Sequence, residues 1–134
     1  MTVSILIMTH GHAGEALVES SKMIIGNNVK VESLSLLPGM SMEDLMNQAK
    51  DIIQRQENTL LMVDLYGGTP SNVAMALTSI CNAKCVSGLN LGMLMETLMI
   101  KEANPDISLE ELQQVASKAG QQAVKAYDYS NLGG

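Results

Sequence analysis

Residues 3–12 have the sequence Val-Ser-Ile-Leu-Ile-Met-Thr-His-Gly-His. The first part of this stretch is almost wholly apolar and uncharged, which predicts a strand buried on both faces of a parallel sheet. A helical pattern begins after Gly11. His10 is therefore expected at the carboxyl end of the first strand, the edge at which open α/β sheets place their chemistry.

A second apolar run, Thr-Leu-Leu-Met-Val-Asp at residues 59–64, ends in a carboxylate and is followed by Leu-Tyr-Gly-Gly-Thr-Pro. The side chains of His10 and Asp64 can meet only if their two strands are neighbours. The strand order 2-1-3-4 makes them neighbours, whereas the order 3-2-1 puts a strand between them. We therefore predict an α/β three-layer sandwich, with a mainly parallel sheet of order 2-1-3-4 and helices on both faces.

The remaining elements alternate between strand and helix. Further strands are predicted at residues 29–37 and 85–90, and helices at 13–25, 41–56, 69–80, 91–101 and 108–123, with capping boxes at Ser41 and Ser108. Thr69 is expected to cap its helix, and Pro70 suits a first helical turn. Residues 124–129 either extend the last helix or form a late strand. We assign residues 1–129 to a single domain and 130–134 to a frayed tail.

Composition excludes several classes of protein. The chain has 134 residues, is 46% hydrophobic and carries a formal net charge of −6, which argues against a nucleic-acid-binding surface. It shows no signal-peptide pattern and no apolar stretch near the ~20 residues of a membrane span, so a cytoplasmic location is expected. Cys81 and Cys85 are interpreted as reduced, buried thiols. No metal site or cofactor is expected, since no second cysteine pair exists. The sulfur-rich core is expected to include Met8, Met62, Met75, Met93, Met95 and Met99.

His10 and Asp64 suit nucleophilic chemistry. A carboxylate that accepts a hydrogen bond from one imidazole nitrogen fixes the tautomer, and the other nitrogen keeps a lone pair for attack. No serine motif is present, so the histidine itself would be the nucleophile, and phosphorus is its expected electrophile. Backbone N–H groups of Gly67, Gly68 and Thr69 would hold the phosphoryl oxygens, with one more bond from the Thr69 hydroxyl. In the simpler interpretation, His10 is only a helix-start residue and Asp64 caps a turn.

Four motifs resemble those of one protein family. They are residues 8–17 (Met-Thr-His-Gly-His-Ala-Gly-Glu-Ala-Leu), 38–39 (Pro-Gly), 63–72 (Val-Asp-Leu-Tyr-Gly-Gly-Thr-Pro-Ser-Asn) and 90–98 (Asn-Leu-Gly-Met-Leu-Met-Glu-Thr-Leu). Together they resemble the enzyme IIA component of the bacterial sugar phosphotransferase system, mannose/fructose/sorbose family, over nearly the whole chain.

This resemblance implies that His10 accepts a phosphoryl group from phospho-HPr and passes it to a histidine of a IIB component, for a sugar that enters through the membrane subunits IIC and IID. It also implies that Asp64 hydrogen-bonds to the ring of His10 and that the Thr69 hydroxyl contacts the phosphoryl group. A homodimer with an exchanged antiparallel edge strand is implied as well, and residues 124–129 are the candidate for that strand.

Some residues depart from the family pattern or match no family role. Leu65 stands where some relatives have a hydroxyl residue, and Tyr66 stands where a tryptophan can occur. His12 matches no catalytic position; we interpret it as a polar helix-start residue, with a docking or phosphate-edge role as the alternative. Residues 23–25 (Met-Ile-Ile) either receive HPr on a flat apolar surface or are ordinary core residues.

Three other functions remain open from the residues. The chain could be the phosphohistidine subunit of a dihydroxyacetone kinase, or a regulatory module that only reports phosphorylation. A flavodoxin-like nucleotide or flavin binder is disfavoured, because the loop after the first strand lacks the Gly-x-Gly-x-x-Gly pattern.

Overall fold

The computed structural model describes residues 2–131. Four parallel strands form one sheet in the order β2-β1-β3-β4, and their bounds are β1 Val3–His10, β2 Glu32–Leu36, β3 Asn58–Val63 and β4 Ala83–Val86. The predicted strand order is therefore confirmed. In the register of β1 with β3, Met8 pairs with Val63, so the next residues of the two strands emerge at the same edge of the sheet.

Five helices cover the sheet: α1 Ala13–Ile25, α2 Met42–Ile53, α3 Thr69–Ile80, α4 Leu91–Ala103 and α5 Leu109–Gln122. One apolar cluster joins α1, α4 and α5 to one face of the sheet, and a second cluster joins α2 and α3 to the other face. Successive residues of β1 contribute to opposite clusters, with Ile5 and Ile7 in the first and Leu6 and Met8 in the second. Burial on both faces explains the unbroken apolar runs of β1 and β3, and it confirms the predicted three-layer sandwich.

Some element bounds differ from the predicted ones. β4 ends at Val86 instead of residue 90, because Gly88 adopts a φ of +78° and the Leu89 N–H turns back to the Val63 carbonyl, at 3.0 Å. β2 begins at Glu32, three residues later than predicted. α2 ends at Ile53, and tighter i to i−3 hydrogen bonds follow to residue 56. The capping box at Ser41 is confirmed, since its side chain and that of Asp44 each bind the other's backbone N–H.

The C-terminal segment after α5 is exposed and irregular from residue 124 to 128, with a short 3-10 turn at Tyr129–Asn131. It neither extends α5 nor adds a strand to the sheet of its own chain. Exchange of this segment between two subunits stays a prediction. The frayed tail predicted at 130–134 lies in part outside the described residues.

Two of the methionine assignments were wrong. Met8, Met62 and Met93 are buried, but Met75 and Met99 are 62% and 55% exposed because they lie on the outward faces of α3 and α4. Of residues 23–25, Ile25 packs against the core, as the second interpretation predicts, whereas Met23 and Ile24 are exposed at the end of α1 remote from His10. That these two receive HPr stays a prediction. Both cysteines are free and half-buried, and burial raises the pKa of the Cys85 thiol to about 11.

Candidate active site

His10 is the last residue of β1, and the turn after it is held by main-chain and hydroxyl contacts. Gly11 has a φ of +56°, and its N–H donates to the Leu36 carbonyl at 2.8 Å. The buried Thr9 hydroxyl accepts from the Gly14 N–H at 2.9 Å and donates to the Gly11 carbonyl at 3.3 Å. These bonds join the end of β1 to the start of α1, so the backbone at His10 has little freedom to move.

The structure brings His10 and Asp64 together. Oδ2 of Asp64 accepts from the backbone N–H of His10 at 2.9 Å and lies 3.0 Å from Nδ1 of the His10 ring. The imidazole is about half exposed, at 47%, and the carboxylate is 25% exposed. The other carboxylate oxygen, Oδ1, is buried and accepts no hydrogen bond from the described residues. One oxygen therefore fixes both the main chain and the ring of the histidine.

The charge state of Asp64 decides the tautomer of the ring. Partial burial alone would raise the pKa of Asp64, but the backbone N–H, the ring and the charge of His10 outweigh it, and the pKa falls below its ordinary value. An ionised carboxylate can only accept hydrogen bonds, so Nδ1 must carry the proton. In the neutral ring, Nε2 then holds the free lone pair.

The glycine turn between β3 and α3 lies against the reactive edge of this ring. Gly67 has a φ of +87°, a conformation that suits glycine. A Cβ atom on Gly68 would lie 2.7 Å from Cε1 and 3.3 Å from Nε2 of His10. The absence of a side chain at residue 68 therefore keeps Nε2 open to an approaching group.

The structure corrects the predicted cap of α3. Gly68 occupies the N-cap position, Thr69 is the first helical residue, and no side chain caps this end. The first intrahelical bond runs from the Asn72 N–H to the Gly68 carbonyl, which leaves the N–H groups of Thr69 and Ser71 without helical partners. The Gly68 N–H points back to the Leu65 carbonyl, at 3.4 Å. The uncapped end of α3 favours an anion beside His10.

Sequence reasoning identified His10 and Asp64 but missed two other features. The close approach of Gly68 to the ring depends on how α3 packs, and no local pattern reports it. The contact between Thr9 and Gly14 leaves only a weak signal in the sequence, because a glycine in the first turn of a helix indicates close packing against another element. A Cβ atom there would lie 2.5 Å from the Ser33 hydroxyl.

Other side chains lie in the loops that follow His10 and Asp64. His12 is the N-cap residue of α1, and its Nδ1 lies 3.3 Å from Oε2 of Glu15. Leu65 and Tyr66, in the loop after Asp64, are 59% and 76% exposed. Within residues 2–131, no three His, Cys, Asp or Glu side chains are grouped to hold a metal ion. In the same part of the chain, no helix is long and apolar enough to cross a membrane.

Comparison with known proteins identifies the family. Residues 4–116 match the family model described as the fructose IIA component of the phosphotransferase system. The chain therefore belongs to the mannose/fructose/sorbose family of enzyme IIA components, as its motifs predicted.

Individual relatives support this assignment. The chain is 33% identical over 130 residues to the mannose-specific EIIAB component of Escherichia coli K12, a match that covers 94% of this chain and 40% of that protein. It is 32% identical over 104 residues to the fructose-specific EIIA component of Bacillus subtilis 168, covering 75% and 71%. The solved mannose/sorbose-specific IIA subunit of Enterococcus faecalis superposes with a TM-score of 0.86 at 28% identity, covering 98% and 99%. The dihydroxyacetone kinase alternative is not favoured by these matches.

Proposed function

We propose that this chain is a phosphohistidine carrier of the sugar phosphotransferase system. His10 accepts a phosphoryl group from phospho-HPr and passes it to a histidine of a IIB component, which serves sugar uptake through IIC and IID. The observation that carries the proposal is the Nδ1 contact with Asp64, which leaves Nε2 exposed beside the uncapped end of α3. Family membership supports the same role. A homodimer and a cytoplasmic location also belong to this proposal and rest on the family resemblance.

The transfer step needs only one nucleophilic atom. The lone pair on Nε2 of His10 attacks phosphorus, an N–P bond forms, and the bond from phosphorus to the donor atom of phospho-HPr breaks, leaving its electron pair on the donor. The ring gains positive character as the bond forms. Asp64 stabilises that charge while Nδ1 keeps its proton. Transfer to IIB is the same displacement, with His10 now the leaving group.

The N-terminus of α3 is suited to hold the transferred oxygens. The N–H groups of Thr69 and Ser71 and the Thr69 hydroxyl are donors at the start of the helix, and the helix dipole adds partial positive charge there. The Gly67 N–H belongs to the same turn. Because phosphoryl transfer depends mainly on positioning and on charge stabilisation, these donors beside Nε2 meet its requirements.

The proposal is tested by phosphorylation with phosphoenolpyruvate, enzyme I and HPr. We expect one phosphoryl group per chain, labile to acid and stable to base, and located on Nε2 of His10 by ³¹P NMR. His10→Ala should take up none. His12→Gln is the matched control, because it removes the only other histidine, and it should still be labelled. Normal labelling of His10→Ala would refute the assignment.

A further inference from the structure

The loops at the carboxyl edge of the sheet carry few charged side chains. Four loops lead from the strands to the helices at this edge: residues 11–12, 37–41, 64–68 and 87–90, all of them described. Asp64 is the single carboxylate in these loops, and His12 is the single side chain besides His10 that can carry positive charge near neutral pH. Within these loops, a doubly charged phosphoryl group on His10 would therefore meet one carboxylate and no lysine or arginine. Three further carboxylates, Glu15, Glu43 and Asp44, lie in the first turns of α1 and α2.

The lysines of α1, α2 and α4 lie at the other edge of the sheet. Lys22, Lys50 and Lys101 occupy the last turns of α1, α2 and α4. These helices start at the carboxyl edge and run away from it, over about 18–20 Å for their 12 or 13 residues. That distance exceeds the Debye length of ~8 Å at physiological salt, so these charges act weakly on His10. Lys118 differs, because it lies near the C-terminal end of α5, where the Gly120 carbonyl accepts from Asn90 in the loop after β4.

His12 is held in an arrangement like that of His10. Its Nδ1 lies 3.3 Å from Oε2 of Glu15, and Oε1 of Glu15 accepts from the Ser35 hydroxyl on β2, at 3.3 Å. The carboxylate is therefore tied to two elements and holds Nδ1, which leaves Nε2 of His12 free. Two peptide units separate His10 from His12, so their Cα atoms are at most about 7 Å apart.

We propose that His12, held by Glu15, is a side-chain cation that stabilises the phosphoryl group on His10, so that phosphorylation of His10 and protonation of His12 favour each other. This inference rests on the proposed carrier function. It gives the motif His-Gly-His a role for its second histidine, which neither the family resemblance nor the transfer step supplies.

Few other charged or titratable groups lie on the elements that surround His12. On α1 these are Glu15 and, one turn further, Glu19, which pairs with Lys22 at 3.4 Å. The end of β1 contributes His10, and the loop after β3 contributes Asp64 and the titratable Tyr66. The facing part of β2 from residue 33, its loop to α2 and the first turn of α4 carry no charged residue. The N-terminus of α1 disfavours a cation at His12, and Glu15 offsets this effect.

The size of the coupling follows from Coulomb's law. With the Cα spacing of about 7 Å taken as the charge separation, a group of charge near −2 in water-like dielectric moves the titration midpoint of the His12 ring upward by about 0.5–1 pH unit. Screening at physiological salt sets the lower end of this range. Linkage requires the same factor in the other direction. The transfer equilibrium from HPr to His10 should thus be about 3- to 10-fold more favourable with His12 protonated.

The direct measurement is an NMR titration of the His12 ring, before and after phosphorylation of the full chain by phosphoenolpyruvate, enzyme I and HPr. We expect the midpoint to rise by about 0.5–1 pH unit on phosphorylation. An unchanged or lowered midpoint in a chain that is labelled on His10 would overturn this inference and leave the carrier function standing. Failure of His10 to accept the label would overturn the carrier function itself, and this inference with it.

The equilibrium with HPr provides a second measurement, taken between about pH 5.5 and 8 to span the titration of a histidine. In the His12→Gln variant, the transfer equilibrium should lose the part of its pH dependence that protonation of His12 causes. In the His12→Lys variant, the equilibrium should stay favourable throughout the range. Glu19→Gln is the matched charge control: it removes a carboxylate from the same helix that does not contact His12, and it should behave as the wild type. Equal pH profiles for the wild type, His12→Gln and His12→Lys would contradict the inference.

Discussion

Replacement of Gly68 by alanine tests whether the ring of His10 must stay where Asp64 holds it. The backbone at Gly68 has φ −78° and ψ 173°, which alanine adopts without strain. The new methyl group would lie 2.7 Å from Cε1 of His10, whereas ordinary contacts begin near 3.4 Å. The imidazole must therefore shift by about 0.7–1 Å, the gap between that clash and normal contact. Such a shift lengthens the 3.0 Å Nδ1 contact with Asp64 beyond hydrogen-bond distance or turns Nε2 away from the incoming group.

The expected losses in transfer and in stability differ greatly. A displacement of about 1 Å at a reacting atom costs on the order of 100-fold in rate, so phosphoryl transfer should fall by about 10- to 100-fold. Alanine at the N-cap and the weakened hydrogen bond should each lower the free energy of unfolding by about 1 kcal/mol. Because alanine lowers the conformational entropy of the unfolded chain, it also stabilises the folded state by about 0.4–1 kcal/mol. The free energy of unfolding should therefore change by only about 1 kcal/mol.

The assay compares the initial rate of labelling from phospho-HPr with stability from urea denaturation. Gly92→Ala is the matched control, because its Cβ atom would also meet an atom at 2.7 Å, but that atom is the Cβ of Ala123 and not part of His10. We expect this control to be labelled at the wild-type rate. If Gly68→Ala is labelled as fast as the wild type, the ring position does not limit transfer and the reasoning from this contact is refuted.

Three other predictions concern the same site. Asp64→Asn should slow labelling by about 100-fold, because a neutral amide stabilises the charged ring less; retention of the wild-type rate would contradict this. Since the pKa of Asp64 is lowered in the folded chain, its carboxylate adds stability above its ordinary pKa and loses that contribution as the pH falls through the lowered value. The stability difference between wild type and Asp64→Asn, measured by urea denaturation, should therefore be largest near neutral pH and vanish in acid. Thr69→Val keeps the shape and the backbone N–H but removes the hydroxyl, so labelling should slow by about 3- to 10-fold; an unchanged rate would show that the hydroxyl makes no bond to the phosphoryl group.

The strand order and the central pair could be predicted because they depend on features that are local in the sequence. The apolar runs of β1 and β3 end in His10 and Asp64, and the condition that these side chains meet selects one topology. Burial on both faces of a parallel sheet produces such runs directly. The confirmed capping box at Ser41 is likewise a short-range pattern, encoded within four residues.

The features that could not be predicted depend on packing between distant segments. Thr69 was expected to be the N-cap of α3, so that the helix would begin at Pro70. Instead, Gly68 adopts the extended conformation of an N-cap, and the helix begins one residue earlier, at Thr69. The end of β4 is set by its pairing with β3 and by the turn at Gly88, not by its own apolar pattern. Met75 is exposed because of the way α3 is rotated about its axis. A methionine alone does not indicate which face of a helix it occupies.

One oxygen of Asp64 accepts hydrogen bonds from both the main chain and the ring of His10. The end of β1, the imidazole and the carboxylate therefore form one stiff unit. Dipoles already aimed at the charge that develops on the ring need almost no reorganisation when that charge appears. Reorganisation of the site should therefore add little to the barrier of either phosphoryl uptake or phosphoryl release. We expect such stiffness to keep the phosphorylated and unphosphorylated forms nearly superposable, so that a partner protein distinguishes them by charge rather than by shape.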